Sequence, residues 1–180
     1  MRELSEIMDA RAIESAIAAI AEGIGSNAGF DPKEVAFLGI RRRGIPLAQR
    51  IADRIKDRYK VTPPIGELDI TLYRDDLSQK ADQPIVGVTR VPYSVDGKIL
   101  VLVDDVIFTG RTVRAALSAL SDYGRPRAVW LAVLIDRGWR ELPVHPDFVG
   151  MKCETRRDQF VEVKFNEIDR EERVALMEVE

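Results

Sequence analysis

Residues 98–112 read KILVLVDDVIFTGRT. The first half is continuously apolar and rich in β-branched residues, the pattern of a strand buried on both faces of a parallel sheet. Two carboxylates, Asp104 and Asp105, follow at its carboxyl end, which is where open α/β sheets bind ligands. The small-residue turn Thr109–Gly110 then opens a helix. A helix N-terminus has unpaired N–H groups and partial positive charge, so it attracts phosphate. Gly110 allows close approach of the backbone to an anion, and the Thr109 and Thr112 hydroxyls add donors. Carboxylates repel phosphate oxygens but suit the hydroxyls of a ribose. The stretch therefore predicts a sugar-phosphate site. GxxxxGKS or GxxxxGKT is absent, as is GxGxxG after any strand, which excludes the two commonest nucleotide loops.

Other strands and helices alternate around this segment. VAFLGI (35–40) and AVWLAVLI (128–135) are further buried strands, and Gly66 to Arg74 alternates as another. Ile13, Ile17, Ile20 and Ile24 recur at helical spacing after Asp9, with Gly23, Gly25 and Gly29 expected to end that helix. A second helix is expected from Ile45 to about Tyr59, and a third from the ThrGlyArgThr turn to Tyr123. The alternation predicts an α/β fold with a mostly parallel central sheet flanked by helices. FVG (148–150) and FVEVKF (160–165) are short strand candidates, expected to form a small hood together with the polar loop of about 74–93. A single domain over residues 1–180 is the simplest organisation, and that loop is long enough to act as a lid.

Composition narrows the function. The chain has 180 residues, 46% hydrophobic and 32% charged, with 27 basic and 30 acidic side chains for a net charge of −3. That balance argues against a globally basic nucleic-acid binder. Only one cysteine, Cys153, and one histidine, His145, are present, which excludes an intrachain disulfide and a histidine-rich metal site. No apolar run approaches the length of a membrane span, and MRELSEIMDA lacks the pattern of a secretory signal. A cytoplasmic location with no membrane partner is expected.

The run at 98–112 resembles the phosphoribosyl-pyrophosphate (PRPP) signature of type I phosphoribosyltransferases. The resemblance implies that fold, and it implies that Asp104 and Asp105 hold the ribose 2′ and 3′ hydroxyls. It assigns the phosphoribosyl ligand to Val106, Ile107, Phe108, Thr109, Gly110, Arg111 and Thr112. GIRRRG (39–44) matches the family's pyrophosphate loop, implying roles for Ile40, Arg41, Arg42, Arg43 and Gly44. ITLYRDD (70–76) precedes the lid, and Arg74 is implied to reach phosphate as a catalytic residue. LIDRGWRELP (134–143) occupies the base-binding place, with backbone groups of Ile135, Asp136 and Arg137 implied to read the base and Val161 to cover it.

Taken together with GRP (124–126), these runs are similar to the PyrR family, regulators of pyrimidine operons with uracil phosphoribosyltransferase activity. The implied reaction is uracil plus PRPP giving UMP and pyrophosphate, with Mg²⁺ as cofactor and no direct metal ligands assigned. The implied partners are PRPP, uracil, UMP or UTP, and pyrimidine operon messenger RNA, in a homo-oligomeric dimer or tetramer. Alternatives are a phosphoribosyltransferase without an RNA role, or one acting on a purine or on orotate. The chain departs from the family's RNA-binding pattern at Ala18, Ala19 and Glu22, and carries Trp139 where a histidine is usual.

Overall fold

The computed structural model describes residues 1–73 and 87–179. Its elements in chain order are β1 (Arg2–Met8), α1 (Ala10–Ser26), β2 (Val35–Ile40), α2 (Gly44–Tyr59), β3 (Ile65–Leu68), a 3₁₀ turn (Thr71–Tyr73), β4 (Ile99–Ile107), α3 (Arg111–Leu120), β5 (Ala128–Asp136), β6 (Phe148–Lys152), β7 (Gln159–Lys164), α4 (Asn166–Asp169) and β8 (Arg173–Glu178). The main sheet has the order β3-β2-β4-β5-β6 and is parallel at every pairing. The expected α/β architecture is present, and β4 lies at its centre.

Side chains alternate across β4, so its two faces feed two cores. Val101 and Val103 pack with Ile13, Ile17, Ile20 and Ile24 of α1 and with Leu47, Ile51 and Ile55 of α2. Leu100 and Leu102 pack with Val113, Ala116 and Leu120 of α3. The α1 stripe is thus a core face, and Asp9 caps the helix by accepting the Ala12 N–H at 2.8 Å.

Three expectations are corrected. The α1 helix runs through Gly23 and Gly25 to Ser26. A Cβ on Gly25 would sit 2.4 Å from the Tyr59 hydroxyl, and one on Gly23 would sit 3.2 Å from Phe148. These glycines permit close packing and do not stop the helix. The strand expected over 66–74 is shorter, ending at Leu68 before the 3₁₀ turn. Finally, β6 belongs to the main sheet, where it pairs parallel with β5. The hood is instead a separate antiparallel sheet of order β1-β8-β7. Two of its three strands, β1 and β8, went unread in the sequence.

Arg50 of α2 fastens the hood to the body. Its guanidinium donates to Glu167 at 2.7 and 2.8 Å and to Glu172 at 2.9 Å, and lies 5.0 Å from the Phe165 ring centroid.

Candidate active site

In a parallel sheet all strands end on the same side. The segments after β2, β4 and β5 therefore converge at one edge, and they carry the motifs singled out above.

The segment after β4 is fixed by its own backbone. Asp104 is buried, and its Oδ1 accepts the Asp105 N–H at 3.0 Å. Burial pushes the Asp105 carboxyl up, against the lowering effects of the Asp104 hydrogen bond and the Arg43 charge. Gly110 has φ +92°, a left-handed conformation that a side chain would strain, and directly precedes α3. The Thr109 carbonyl accepts the amides of Glu141 and Leu142 at 3.0 and 3.3 Å, so this turn is held by the loop after β5. Arg111 pairs with Glu141 at 2.8 Å.

The segment after β2 is pressed against this one. A Cβ on Gly44 would lie 2.3 Å from the Val103 carbonyl oxygen and 3.4 Å from the Asp104 Cα. Only glycine lets α2 begin so close to the acidic pair. Three arginines precede it and point in different directions. Arg41 donates to the Val88 carbonyl at 3.0 Å and lies 3.6 Å from Glu67. Arg42, with Arg41, Gln49, Glu67 and Glu167, lines a cavity of about 460 Å³. Arg43 pairs with Asp169 of the hood, which raises the arginine's pKa and lowers the carboxylate's. The Arg41–Arg42 peptide is cis.

After β5, the backbone atoms expected to read a base are partly engaged. The Arg137 N–H donates to the Ile107 carbonyl at 3.0 Å, and the Asp136 carbonyl accepts the Cys153 N–H at 2.8 Å. Ile135 is buried in the core cluster that also contains Val161 of β7. The Asp136 side chain accepts the Gly138 N–H at 2.8 Å and a hydrogen bond from Arg140. Arg140 also donates to the Phe108 and Gly138 carbonyls and, at 3.1 Å, to that of Val144. Sequence reasoning assigned Arg140 no role in the site, yet it ties the segment after β5 to the segment after β4. Four carbonyl or carboxylate acceptors for one guanidinium leave no local sequence signature. Asp169, the hood partner of Arg43, was likewise missed.

Trp139 is half-exposed with φ +58°, and its indole N–H donates to the Thr155 carbonyl at 2.7 Å. Arg157 lies 5.2 Å from its ring centroid. Ala18 and Glu22 of α1 border a shallow cavity with Arg54 and Arg58 of α2, and Glu22 stands 4.0 Å from Arg58. Arg74, and with it Asp75 and Asp76, lies outside the described residues, as does the lid expectation over 74–86. From Gly87 the chain returns to the sheet: Arg90 and Glu67 exchange backbone hydrogen bonds at 2.8 Å, and the Tyr93 hydroxyl donates to the Phe37 carbonyl at 2.6 Å. Among the described residues no group of three or more His, Cys, Asp or Glu could hold a metal ion, and no helix is long and apolar enough to cross a membrane.

A parallel sheet that ends in an acidic pair and a glycine-started helix, beneath a small antiparallel hood, defines a phosphoribosyltransferase. The family model for the phosphoribosyl transferase domain matches residues 3–167. The chain belongs to the PyrR family. It is 55% identical over 178 residues to the bifunctional protein PyrR of Pelotomaculum thermopropionicum, covering 98% of this chain and 97% of that one. It is 51% identical over 181 residues to the PyrR proteins of Acetivibrio thermocellus and Thermus thermophilus, covering 100% of this chain and 97% and 99% of theirs. Among solved structures, a hypoxanthine phosphoribosyltransferase of Trypanosoma cruzi superposes with TM-score 0.73 at 18% identity, covering 97% of this chain and 96% of that one. A hypoxanthine-guanine phosphoribosyltransferase of Bacillus anthracis does so with TM-score 0.72 at 16% identity, covering 98% and 99%. At such identities the likeness is one of fold.

Proposed function

We propose that the chain transfers the phosphoribosyl group of PRPP to uracil, giving UMP and pyrophosphate, and that UMP or UTP in the same site sets its affinity for pyrimidine operon messenger RNA. The observation that carries the catalytic half is the placement of Asp104 and Asp105 directly before the Gly110 turn and α3. The carboxylates accept hydrogen bonds from the ribose hydroxyls. The amides and hydroxyls of Thr109 to Thr112 surround the 5′-phosphate. Arg41 and Arg42 face the pyrophosphate, while Arg43 braces the loop through the hood. Catalysis is mainly positioning and electrostatic stabilisation of charge that develops as pyrophosphate leaves C1′.

The donor set fits Mg²⁺ that would be held chiefly through PRPP oxygens and water, with the Asp104 and Asp105 carboxylates available as hard oxygen ligands, rather than by a cage of protein side chains. When bound, the ion neutralises charge on the leaving group. The other residues need no metal for their roles: Arg43 and Gly44 fix the pyrophosphate loop, and Gly110 opens the phosphate cradle.

The regulatory half rests on the PyrR relatives. Of the arginines that can form a basic patch, Arg137 and Arg140 have their guanidiniums turned inward, whereas Arg54, Arg58 and Arg157 are exposed. RNA contact is assigned to exposed arginines such as these rather than to Arg137 or Arg140, on a homo-oligomeric assembly of one-domain chains.

A PRPP-dependent assay with uracil, orotate, hypoxanthine and guanine tests the first half. Turnover of uracil is expected, and reaction with a purine alone removes the uracil assignment. A gel shift with the pyrimidine leader RNA, with and without UMP, tests the second. A sequence-selective shift strengthened by UMP is expected, and its absence leaves the enzyme alone.

A further inference from the structure

Arg137 is a buried cation without a carboxylate. The residue is 8% exposed. Its guanidinium lies 4.0 Å from the ring centroid of Phe108, in the segment after β4. Nε donates to the Thr155 hydroxyl at 3.3 Å and Nη2 donates to the Gln159 carbonyl. Both acceptors are neutral. Among the described residues no carboxylate lies within ion-pair distance, and the ionisable group acting on Arg137 is the Cys153 thiol, which burial keeps in its neutral form. A buried charge without a partner is costly. The other inward guanidiniums, those of Arg43, Arg50 and Arg140, each have a carboxylate.

The place of this cation matters. The Arg137 amide is bonded to the last carbonyl of β4, and Thr155 and Gln159 lead into β7 of the hood. Arg137 thus stands at the seam where sheet and hood meet, beside the phosphate turn. Nη1 makes no hydrogen bond among the described residues, yet no buried side-chain nitrogen or oxygen there lacks a partner. Nη1 therefore keeps some exposure, and it is the edge of the inward-turned group left unbonded among the described residues.

We propose that the Arg137 guanidinium is a catalytic residue, the counter-charge to a pyrimidine anion bound at this seam. The assignment rests on the uracil reading above. The N1 lone pair of neutral uracil is delocalised into the flanking carbonyls and attacks poorly. Loss of the N1 proton to solvent water places negative charge on N1, O2 and O4. The N1 electron pair then forms the bond to C1′ while the C1′–O bond breaks, its pair leaving with pyrophosphate. Arg137 stays charged throughout. A fixed cation in a site of low polarity stabilises such an anion without reorganising.

The test compares uracil with 5-fluorouracil, whose fluorine already stabilises the anion, in the wild-type enzyme and in Arg137→Gln and Arg137→Lys. Arg137→Gln is expected to lose on the order of 100-fold in kcat/KM for uracil and markedly less for 5-fluorouracil. Arg137→Lys, which keeps the charge, falls between wild type and Arg137→Gln, and PRPP affinity measured by calorimetry stays unchanged. A merely structural role predicts equal losses on the two bases, and that result overturns the proposal, as does full activity of Arg137→Gln. If Arg137→Gln does not fold, the same comparison is read from Arg137→Lys against wild type. Wild-type enzyme that turns over neither pyrimidine overturns the uracil reading itself, and this assignment with it.

Discussion

Arg43 and Asp169 form a two-pronged ion pair between the start of α2 and the hood, with Nε–Oδ2 at 3.1 Å and Nη2–Oδ1 at 2.7 Å. Asp169 Oδ2 also accepts the Phe165 N–H at 3.0 Å. A guanidinium that the sequence assigns to pyrophosphate therefore braces the loop that would hold pyrophosphate. Because Arg43 also acts electrostatically on Asp105, hood and acidic pair are linked through one side chain.

Asp169→Asn keeps the shape and removes the charge. Its expected cost is about 1 kcal/mol at neutral pH, typical of a partly screened pair, read from urea unfolding. The Arg43 hydrogen bond holds the Asp169 carboxyl below its ordinary value. A depressed carboxylate stabilises above its unfolded pKa, about 3.9, and that contribution is lost as pH falls through the lower folded value. The gap between wild type and variant should close in acid. The variant should also raise KM for PRPP, since the 41–44 loop loses its brace.

Asp105→Asn separates function from stability. Binding PRPP through a neutral amide should cost on the order of 100-fold in kcat/KM. Folding should respond in the opposite sense. Burial holds the Asp105 carboxyl above its ordinary value. Such a group favours the fold while protonated and weighs against it as pH rises through the folded pKa. The amide variant should thus be more resistant to urea than wild type at pH 7, with the advantage vanishing below about pH 4. Equal stability at pH 7 would contradict a net desolvation cost at the half-buried Asp105 carboxylate.

The strand and turn that carry the candidate site were more legible than the hood around them. The run from Ile99 to Thr112 folds as the strand, turn and helix read from it, because a doubly buried strand must be apolar and Gly110 must accept a positive φ. Each requirement acts locally on residue type. The hood strands β1 and β8 obey no such rule. RELSEIM and RVALME are short and heavily charged, and their partner lies at the far end of the chain. They pair through Arg2 with Glu178 and Arg173 with Glu3, at 3.2 and 2.7 Å. Long-range pairing also hid the partners of Arg43 and Arg140, since Asp169 and the Phe108 and Val144 carbonyls come from other segments. Gly23 and Gly25 misled for the same reason, since Phe148 and Tyr59 select them from other elements.

Gly44→Ala tests the close approach of α2 to β4. The added Cβ would meet the Val103 carbonyl oxygen at 2.3 Å, a backbone atom that cannot swing aside. Overpacking of this kind costs about 1–3 kcal/mol or more, and the melting temperature should fall accordingly. Helix propensity would favour alanine over glycine here, so a stabilised variant is the result that contradicts the geometry. Since the shift also moves Asp104, kcat/KM for PRPP should fall even at temperatures where the variant is fully folded.

Arg140→Lys discriminates an internal staple from a surface contact. The Arg140 side chain is 10% exposed and donates to three carbonyls and to Asp136. Lysine keeps the charge but has three tetrahedral donors on one nitrogen, so it cannot span the Phe108, Gly138 and Val144 carbonyls together. Each buried acceptor left unpaired costs about 1–3 kcal/mol. The variant should melt lower than wild type and show raised KM for both PRPP and base, because the segments after β4 and β5 no longer move as one body. A residue that only touched RNA would give the reverse: an unchanged melt, unchanged kinetics and a weaker gel shift. Measuring all three on the same preparation assigns the guanidinium to one role or the other.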